Sequence, residues 1–413
     1  MIVLHIGLHK VGSSTIQRFA AEKADVLAAN GVHYPREGRG ESDAHHDLVM
    51  ALREPGSTDA LDAVAALVES RPDDTFFFSS EGLSTLRAPH VARLVAALRR
   101  RHRLRVLLYI RNSVDTVVSA YNQTAKRGNR IASFDTFYAE RANGRELLDH
   151  LRNWGEEIGY DAIRVRSIVP TALAGGDLLT DLCRALRLRG RAIRALEPAT
   201  FEAANTRVPW EAAEYVREFT RRSAEMLGTL DPASHASLVA GVPLCRLTRT
   251  IAEAGRHVPA IRFGEMTEIC VDAALKAGAG APAQYLTPEQ AAHLDARYRE
   301  QLAEIAALVP DAKLDHVAPK ALPQRPFEPQ FTAIAPHVLA AMKQAIDERI
   351  VPERLPAPLR DIFREMHPGS PVSDAAAAPV APARRTPGIT DPAERERRRQ
   401  RREAREAKAT QAG

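Results

Sequence analysis

The chain begins MIVLHIGLHKVGSSTIQRFA, residues 1–20, and this stretch sets the expectation for the fold. Ile2 to Ile6 is a short apolar, β-prone run, about the length of one buried strand. Gly7-Leu8-His9-Lys10-Val11-Gly12-Ser13-Ser14-Thr15 follows, and Ile16-Gln17-Arg18-Phe19 continues as a helix would. Strand, glycine-bearing turn and helix together build an anion pocket. The N–H groups of the turn and the open helix N-terminus converge on one place, and the helix dipole adds partial positive charge there. Lys10 adds a full charge, and the hydroxyls of Ser13, Ser14 and Thr15 add donors. The spacing is not that of a Walker A loop, in which Lys follows the second glycine; here Lys10 precedes Gly12. The competing reading is a plain strand–turn–helix with a solvated Lys10 and a Ser/Thr N-cap.

A second stretch, VLLYIRNSVDTVVSAYNQTAKRG at 106–128, repeats the plan. An apolar strand ends at Arg111, a polar turn follows, and a helix carries Ser119, Tyr121, Asn122 and Gln123. Arg111 falls at the carboxyl edge of its strand, where open α/β sheets bind ligands, and its guanidinium suits a phosphate bidentately. The alternative is a surface ion pair for Arg111 and a helix-face position for Ser119.

Working outward, helical patterns cover 16–31, 44–52, 59–70, 89–101, 145–159 and 175–187. Strand patterns cover 75–80, 104–110 and 163–169. Strands alternating with helices predict an α/β fold: a three-layer parallel sheet with flanking helices. From about 195 to 310 the pattern is helical with little strand character, with long helices over 210–227 and 288–308. A Pro-bearing linker at 318–329 leads to an amphipathic extension, 331–366, broken at Pro352 and Pro356. After Met366 the chain turns to Ala, Pro and Ser and ends in a basic run, Ala393 to Arg405; this reads as disorder or a single solvated helix. The expected organisation is a domain over 1–310 (core 1–190, helical region 195–310), a linker and helical extension over 311–366, and a tail over 367–413.

The 413 residues are enough for a sizeable core, and 45% hydrophobic with 26% charged content is globular. A net charge of +5 suits an anionic small ligand. Much of that excess sits in the tail, which could meet an acidic surface, so no nucleic-acid partner is expected for the folded part. Cys183, Cys245 and Cys270 are odd in number and far apart, which fits a reducing compartment. With no signal-peptide pattern and no transmembrane-length apolar run, a cytoplasmic location is expected.

The pattern Lys-x-Gly-Ser-Ser-Thr at 10–15 is similar to the 5′-phosphosulfate loop of sulfotransferases that use 3′-phosphoadenosine 5′-phosphosulfate (PAPS). Arg111, Ser119 seven intervening residues later, and Tyr121 resemble that family's 3′-phosphate motif. FSSEGLS at 78–84, LRNWGEEIGYDAIRVR at 151–166 and GGDLLTDLCRALRL at 175–188 fall in the family's order. The chain thus resembles bacterial members of the sulfotransferase superfamily over residues 1–190, more weakly to about 310, and not beyond. It departs from the pattern at Val11, Ser13, Ser14 and Ser113, where Thr, Thr, Thr and Pro are common, and it has no evident late Arg-Lys-Gly clamp.

The resemblance implies a P-loop NTPase-like sulfotransferase fold with a helical C-terminal portion. It implies in-line transfer of a sulfuryl group from PAPS, without a metal, to an acceptor hydroxyl or amine on a carbohydrate, lipid-linked glycan or other small molecule. Lys10 would neutralise the leaving 5′-phosphate oxygen, with Val11, Gly12, Ser13, Ser14 and Thr15 forming the cradle. Arg111, Ser119 and Tyr121 would hold the 3′-phosphate, and His9 would be structural or a phosphate donor. The family uses His or Glu as general base, which here points to His46 as base and Glu81 as the group orienting the acceptor. Glu81 as a helix cap and His46 as a surface residue are the plainer readings, and Trp154 is assigned to the core. The helices of 195–310 and the loop 36–43 are expected to shape the acceptor pocket. Two rivals stand beside this: a nucleotide-dependent kinase with a variant P-loop, and an inactive scaffold of the same fold whose tail does the work.

Overall fold

In the computed structural model every strand of the main sheet is parallel, in the order β2-β3-β1-β4-β5. The strands are β1 (Ile2–Ile6), β2 (Val32–His33), β3 (Thr75–Ser80), β4 (Leu104–Ile110) and β5 (Ile163–Ser167). The structure describes residues 1–8, 11–40, 42–54, 59–99, 102–198, 201, 208–231, 233–235, 238, 245–253, 256–263, 265–280, 285–316 and 330–367. His9 and Lys10, the linker 318–329 and the tail from 368 onward lie outside them.

Strand alternation builds the three layers. Ile2, Leu4 and Ile6, Phe76 and Phe78, and Val106, Leu108 and Ile110 face one side. There they pack under α3 (His46–Arg53), α4 (Asp59–Ser70), α5 (Ala88–Leu98) and α8 (Glu146–Ile158). Val3, Phe77, Leu107 and Tyr109 face the other side, under α1 (Ser13–Glu22), α2 (Ala24–Ala28), α9 (Leu178–Ala185) and α10 (Gly190–Leu196). β1 and β3 are buried at nearly every position, as a parallel sheet covered on both faces requires. Trp154 is fully buried and its indole N–H donates to the Leu83 carbonyl, in accord with its assignment to the core.

The expected helix over 16–31 is two shorter helices that meet at Lys23. α6 (Ser113–Lys126) follows β4, and α7 (Phe134–Arg141) follows it. The region after 195 is not purely helical. An antiparallel hairpin, β6 (Cys245–Glu253) with β7 (Arg256–Phe263), lies between α11 (Trp210–Gly228) and α12 (Met266–Lys276). Its register shifts between Thr248 and Ile251, and such a bulge interrupts the two-residue period by which a strand is read from sequence. α13 (Pro288–Leu308) starts at a capping box formed by Thr287 and Gln290.

The chain divides into two units, Met1–Ile346 and Asp347–Gly413. α14 (Pro336–Arg349) therefore belongs mostly to the first. The described part of the second holds a short turn, Pro352–Arg354, and α15 (Ala357–Met366), with its breaks at the expected prolines. Among the described residues no helix is long and apolar enough to cross a membrane.

Candidate functional site

Parallel strands end on one edge, so the turns after β1, β3 and β4 share it. β1 lies between β3 and β4. The connection leaving β1 runs to β2, on the β3 side, while that leaving β4 runs to β5 on the other. Adjacent strands whose connections part in this way open a crevice at their carboxyl ends, the usual ligand position in such sheets. Gly7, Gly12 and Arg111 flank that crevice, and Glu81 follows the carboxyl end of β3.

The turn after β1 is built around its glycines. A Cβ on Gly7 would stand 2.3 Å from Ser13 Oγ, and one on Gly12 2.4 Å from Leu178 Cδ2. Gly12 also has φ 81°, in the left-handed region, as the N-cap of α1. Ser13 is buried and its hydroxyl donates to the Leu8 carbonyl at 3.0 Å, closing the loop on itself. The first intrahelical bond runs from the Ile16 N–H to the Gly12 carbonyl. Among the described residues no side chain caps the helix, and no acidic residue lies in its first turn, so its leading N–H groups keep their anion-attracting character. Ser14 is exposed and Thr15 half-buried. The Val11 side chain is buried in the core and can add only its backbone to the cradle.

On the β3 side, His46 opens α3 and its Nδ1 lies 3.1 Å from Ser80 Oγ, which also caps the turn Glu81–Leu83 by accepting from the Gly82 N–H. The chain thus brings His46, Ser80 and Glu81 together across 34 residues of separation. Its neighbour His45 is fully buried. His45 Nδ1 accepts from the Ser79 N–H at 3.1 Å and Nε2 lies 3.2 Å from the Pro35 carbonyl, so a neutral ring protonated at Nε2 satisfies both. Burial, and then the charge of Arg39, push its pKa down to about 3.

His5 belongs to this region and was not singled out from sequence. It pairs in register with Ser79, and the two side chains meet on one face of the sheet, Nδ1 to Oγ at 2.8 Å. Its Nε2 is buried with no hydrogen-bond partner among the described residues, and its Cε1 lies 3.3 Å from where a Gly7 Cβ would be. Burial pushes its pKa down to about 4, opposed by the charge of Glu81. The signal in the sequence is a lone histidine inside an apolar strand, IVLHI.

On the β4 side, Arg111 forms an exposed i,i+4 pair with Asp115, at 2.9 Å from Nη2. Asn112 caps α6, accepting from the Val114 N–H. Ser119 is half-buried on α6. Tyr121 is placed otherwise than expected. It is buried, its hydroxyl donates to Glu214 at 2.7 Å, and its ring packs among Phe134, Phe137 and Tyr285. That hydroxyl anchors α11 to α6, with Arg217 paired to the same carboxylate.

A cavity of about 200 Å³ adjoins this edge, with Leu8, Ser84, Thr85, Ile110 and Arg111 in its wall. α8 closes it with Leu147 and His150, and α13 with Leu294 and Tyr298. Of the region 195–310, α13 lines this cavity, and none of the described residues of loop 36–43 does. Burial holds the His150 pKa below the ordinary histidine value, against the charges of Glu146 and Asp149.

No protein-family model matches the chain, and no curated protein matches it. Among solved structures, the crystal structure of a sulfotransferase from Alicyclobacillus acidocaldarius is similar to it at 15% sequence identity and a TM-score of 0.29, over 52% of this chain and 93% of that one.

Proposed function

We propose that the protein transfers a sulfuryl group from PAPS to a hydroxyl or amine acceptor. The observation that carries the reading is positional. Gly7 and Gly12, between which Lys10 falls in sequence, and Arg111 follow adjacent parallel strands at the crevice where their connections part, and Glu81 follows the next strand on the same edge. Arg111 after one strand and, in sequence, Lys10 after its neighbour suit a ligand with phosphates at both ends, and the start of α1, with no acidic residue in its first turn, leaves N–H groups for an anion.

In this reading Lys10 acts on the bridging oxygen as the S–O bond to the 5′-phosphate breaks and negative charge grows there. The N–H groups of Ser13, Ser14 and Thr15 cradle that phosphate. Arg111 is a handle on the distant 3′-phosphate and Ser119 its neighbour on α6. His46, steadied by Ser80, takes the acceptor's proton while the acceptor oxygen or nitrogen forms its new bond to sulfur. Glu81 orients the acceptor, which enters from the cavity lined by Ser84 and Thr85, on and beside the turn that Glu81 begins. No metal has a role. The kinase alternative calls for Mg²⁺ and ATP in the same crevice.

The test is transfer from PAPS labelled in its sulfuryl group to products identified by mass spectrometry, for wild type and Lys10→Ala, with and without EDTA. Transfer that survives EDTA and falls by orders of magnitude in Lys10→Ala supports the reading. Loss on chelation with rescue by Mg²⁺ supports the kinase.

A further inference from the structure

At the opposite edge of the sheet, near the amino ends of β4 and β5, a second cavity of about 530 Å³ opens. Arg99, Arg103, Arg105, Arg164 and Arg187 all reach its wall, against one carboxylate there, Asp161. They arrive from separate elements: Arg99 caps α5, Arg103 and Arg105 enter and begin β4, Arg164 lies on β5, and Arg187 follows α9. Arg187 adopts φ 62°, one of three non-glycine residues with positive φ among those described.

Of these charges one is paired among the described residues. Arg164 pairs with Asp311 at 2.8 Å, a side chain 64% exposed. Among the described residues no carboxylate pairs with Arg103, Arg105 or Arg187. Arg105 is half-buried, and its guanidinium is held below its ordinary pKa first by burial, then by the charges of Arg164 and Arg187. Bringing like charges this close costs free energy, and a cavity that concentrates them carries a positive field.

Charged residues on sheet edges can serve to prevent strand pairing between molecules. That does not account for this cluster. β4 is an interior strand between β1 and β5, and the outer side of β5 is already bonded to the backbone of Lys313. The arginines gather around a concavity instead of spacing along an edge.

We propose that this cavity binds a small soluble molecule bearing two or more phosphate groups. Guanidinium forks match phosphate oxygens bidentately and stay charged at every physiological pH. A cavity of about 530 Å³ has the size of an ordinary small-molecule pocket and is roomier than one oxyanion needs. The site stands apart from the crevice at the carboxyl edge and does not depend on the transfer reading.

The probe is inorganic pyrophosphate, titrated calorimetrically into the full-length chain at physiological salt. One site is expected. Arg103→Gln/Arg187→Gln, both exposed and safe for folding, should weaken it by at least about tenfold, the scale of lost charge-assisted bonds. Arg105→Gln should do the same, with an unchanged melting temperature as the control on folding. Lys10→Ala should leave pyrophosphate binding as it is. Absence of binding, indifference to the arginine substitutions, or loss in Lys10→Ala would each overturn the proposal. Vesicles containing phosphatidic acid separate the remaining source of phosphate: co-sedimentation with them, without pyrophosphate binding, would make the ligand a lipid headgroup and the proposal wrong.

Discussion

Gly7 and Gly12 show how single residues set the loop. A methyl on Gly7 displaces Ser13 Oγ and with it the bond to the Leu8 carbonyl. Gly7→Ala is expected to cost about 1–3 kcal/mol of stability, read as a shift in urea midpoint, and to weaken anion binding more than any hydroxyl deletion nearby. The need for small residues was legible in the sequence. That Ser13 would turn inward was not, because a serine at a helix start reads the same whether its hydroxyl faces a ligand or its own loop. Tyr121 is the same lesson: the aromatic side chain in the motif is spent on Glu214. The proton-transfer roles separate by substitution. His46→Ala should remove most of the turnover while leaving adenosine bisphosphate affinity intact, and Glu81→Gln should keep more of the turnover. A turnover assay in which His46→Ala is normal and Glu81→Gln is dead would pass the role to Glu81.

At the scale of elements, the strands were readable because each is a continuous or alternating apolar run between turns, and β3 and β4 begin and end where the pattern says. The hairpin was not, since its bulge breaks the alternation. Nor could the pattern foresee the link between β4, β5 and α9. There Asp181, fully buried, accepts from the Tyr109 hydroxyl at 2.8 Å, pairs with Arg166 and accepts from the Ala174 N–H at 2.9 Å. Long-range polar pairing has no period to detect. Asp181→Ala would leave the Arg166 guanidinium, 13% exposed, without its counter-charge. Breaking a buried pair from one side costs about 3–5 kcal/mol, so chemical denaturation should show a loss of that order. A loss below about 1 kcal/mol would mean that solvent reaches Arg166 freely.

For the molecule as a whole, the order of the sheet turns two distant motifs into one crevice, and that order is what the sequence could only imply. Stability should carry the mark of the buried histidines. His5 and His45 have folded pKa values near 4 and 3, below the ordinary 6.5. Between those values the unfolded chain binds protons that the folded chain refuses. The contribution is thus full above about pH 6.5 and is lost as pH falls toward 4 and 3. Urea midpoints of wild type should fall across that window, and less steeply in His45→Gln. A flat wild-type profile would place water on both rings.

The central claim is that the turn after β1 and Arg111 after β4 hold one bisphosphorylated nucleotide. The Arg111–Asp115 pair does not stand against it: an exposed i,i+4 pair contributes about 0.3–0.5 kcal/mol, while a charge-assisted bond to phosphate contributes about 1.5–3 kcal/mol, so the phosphate prevails. Calorimetry with 3′,5′-adenosine bisphosphate, in EDTA, on wild type, Lys10→Ala and Arg111→Ala tests this most directly. The account predicts metal-independent binding at one site, weakened by each substitution, with Arg111→Ala losing about 1.5–3 kcal/mol. Affinity unchanged in Arg111→Ala, or binding of ATP–Mg²⁺ in place of the bisphosphate, would contradict it.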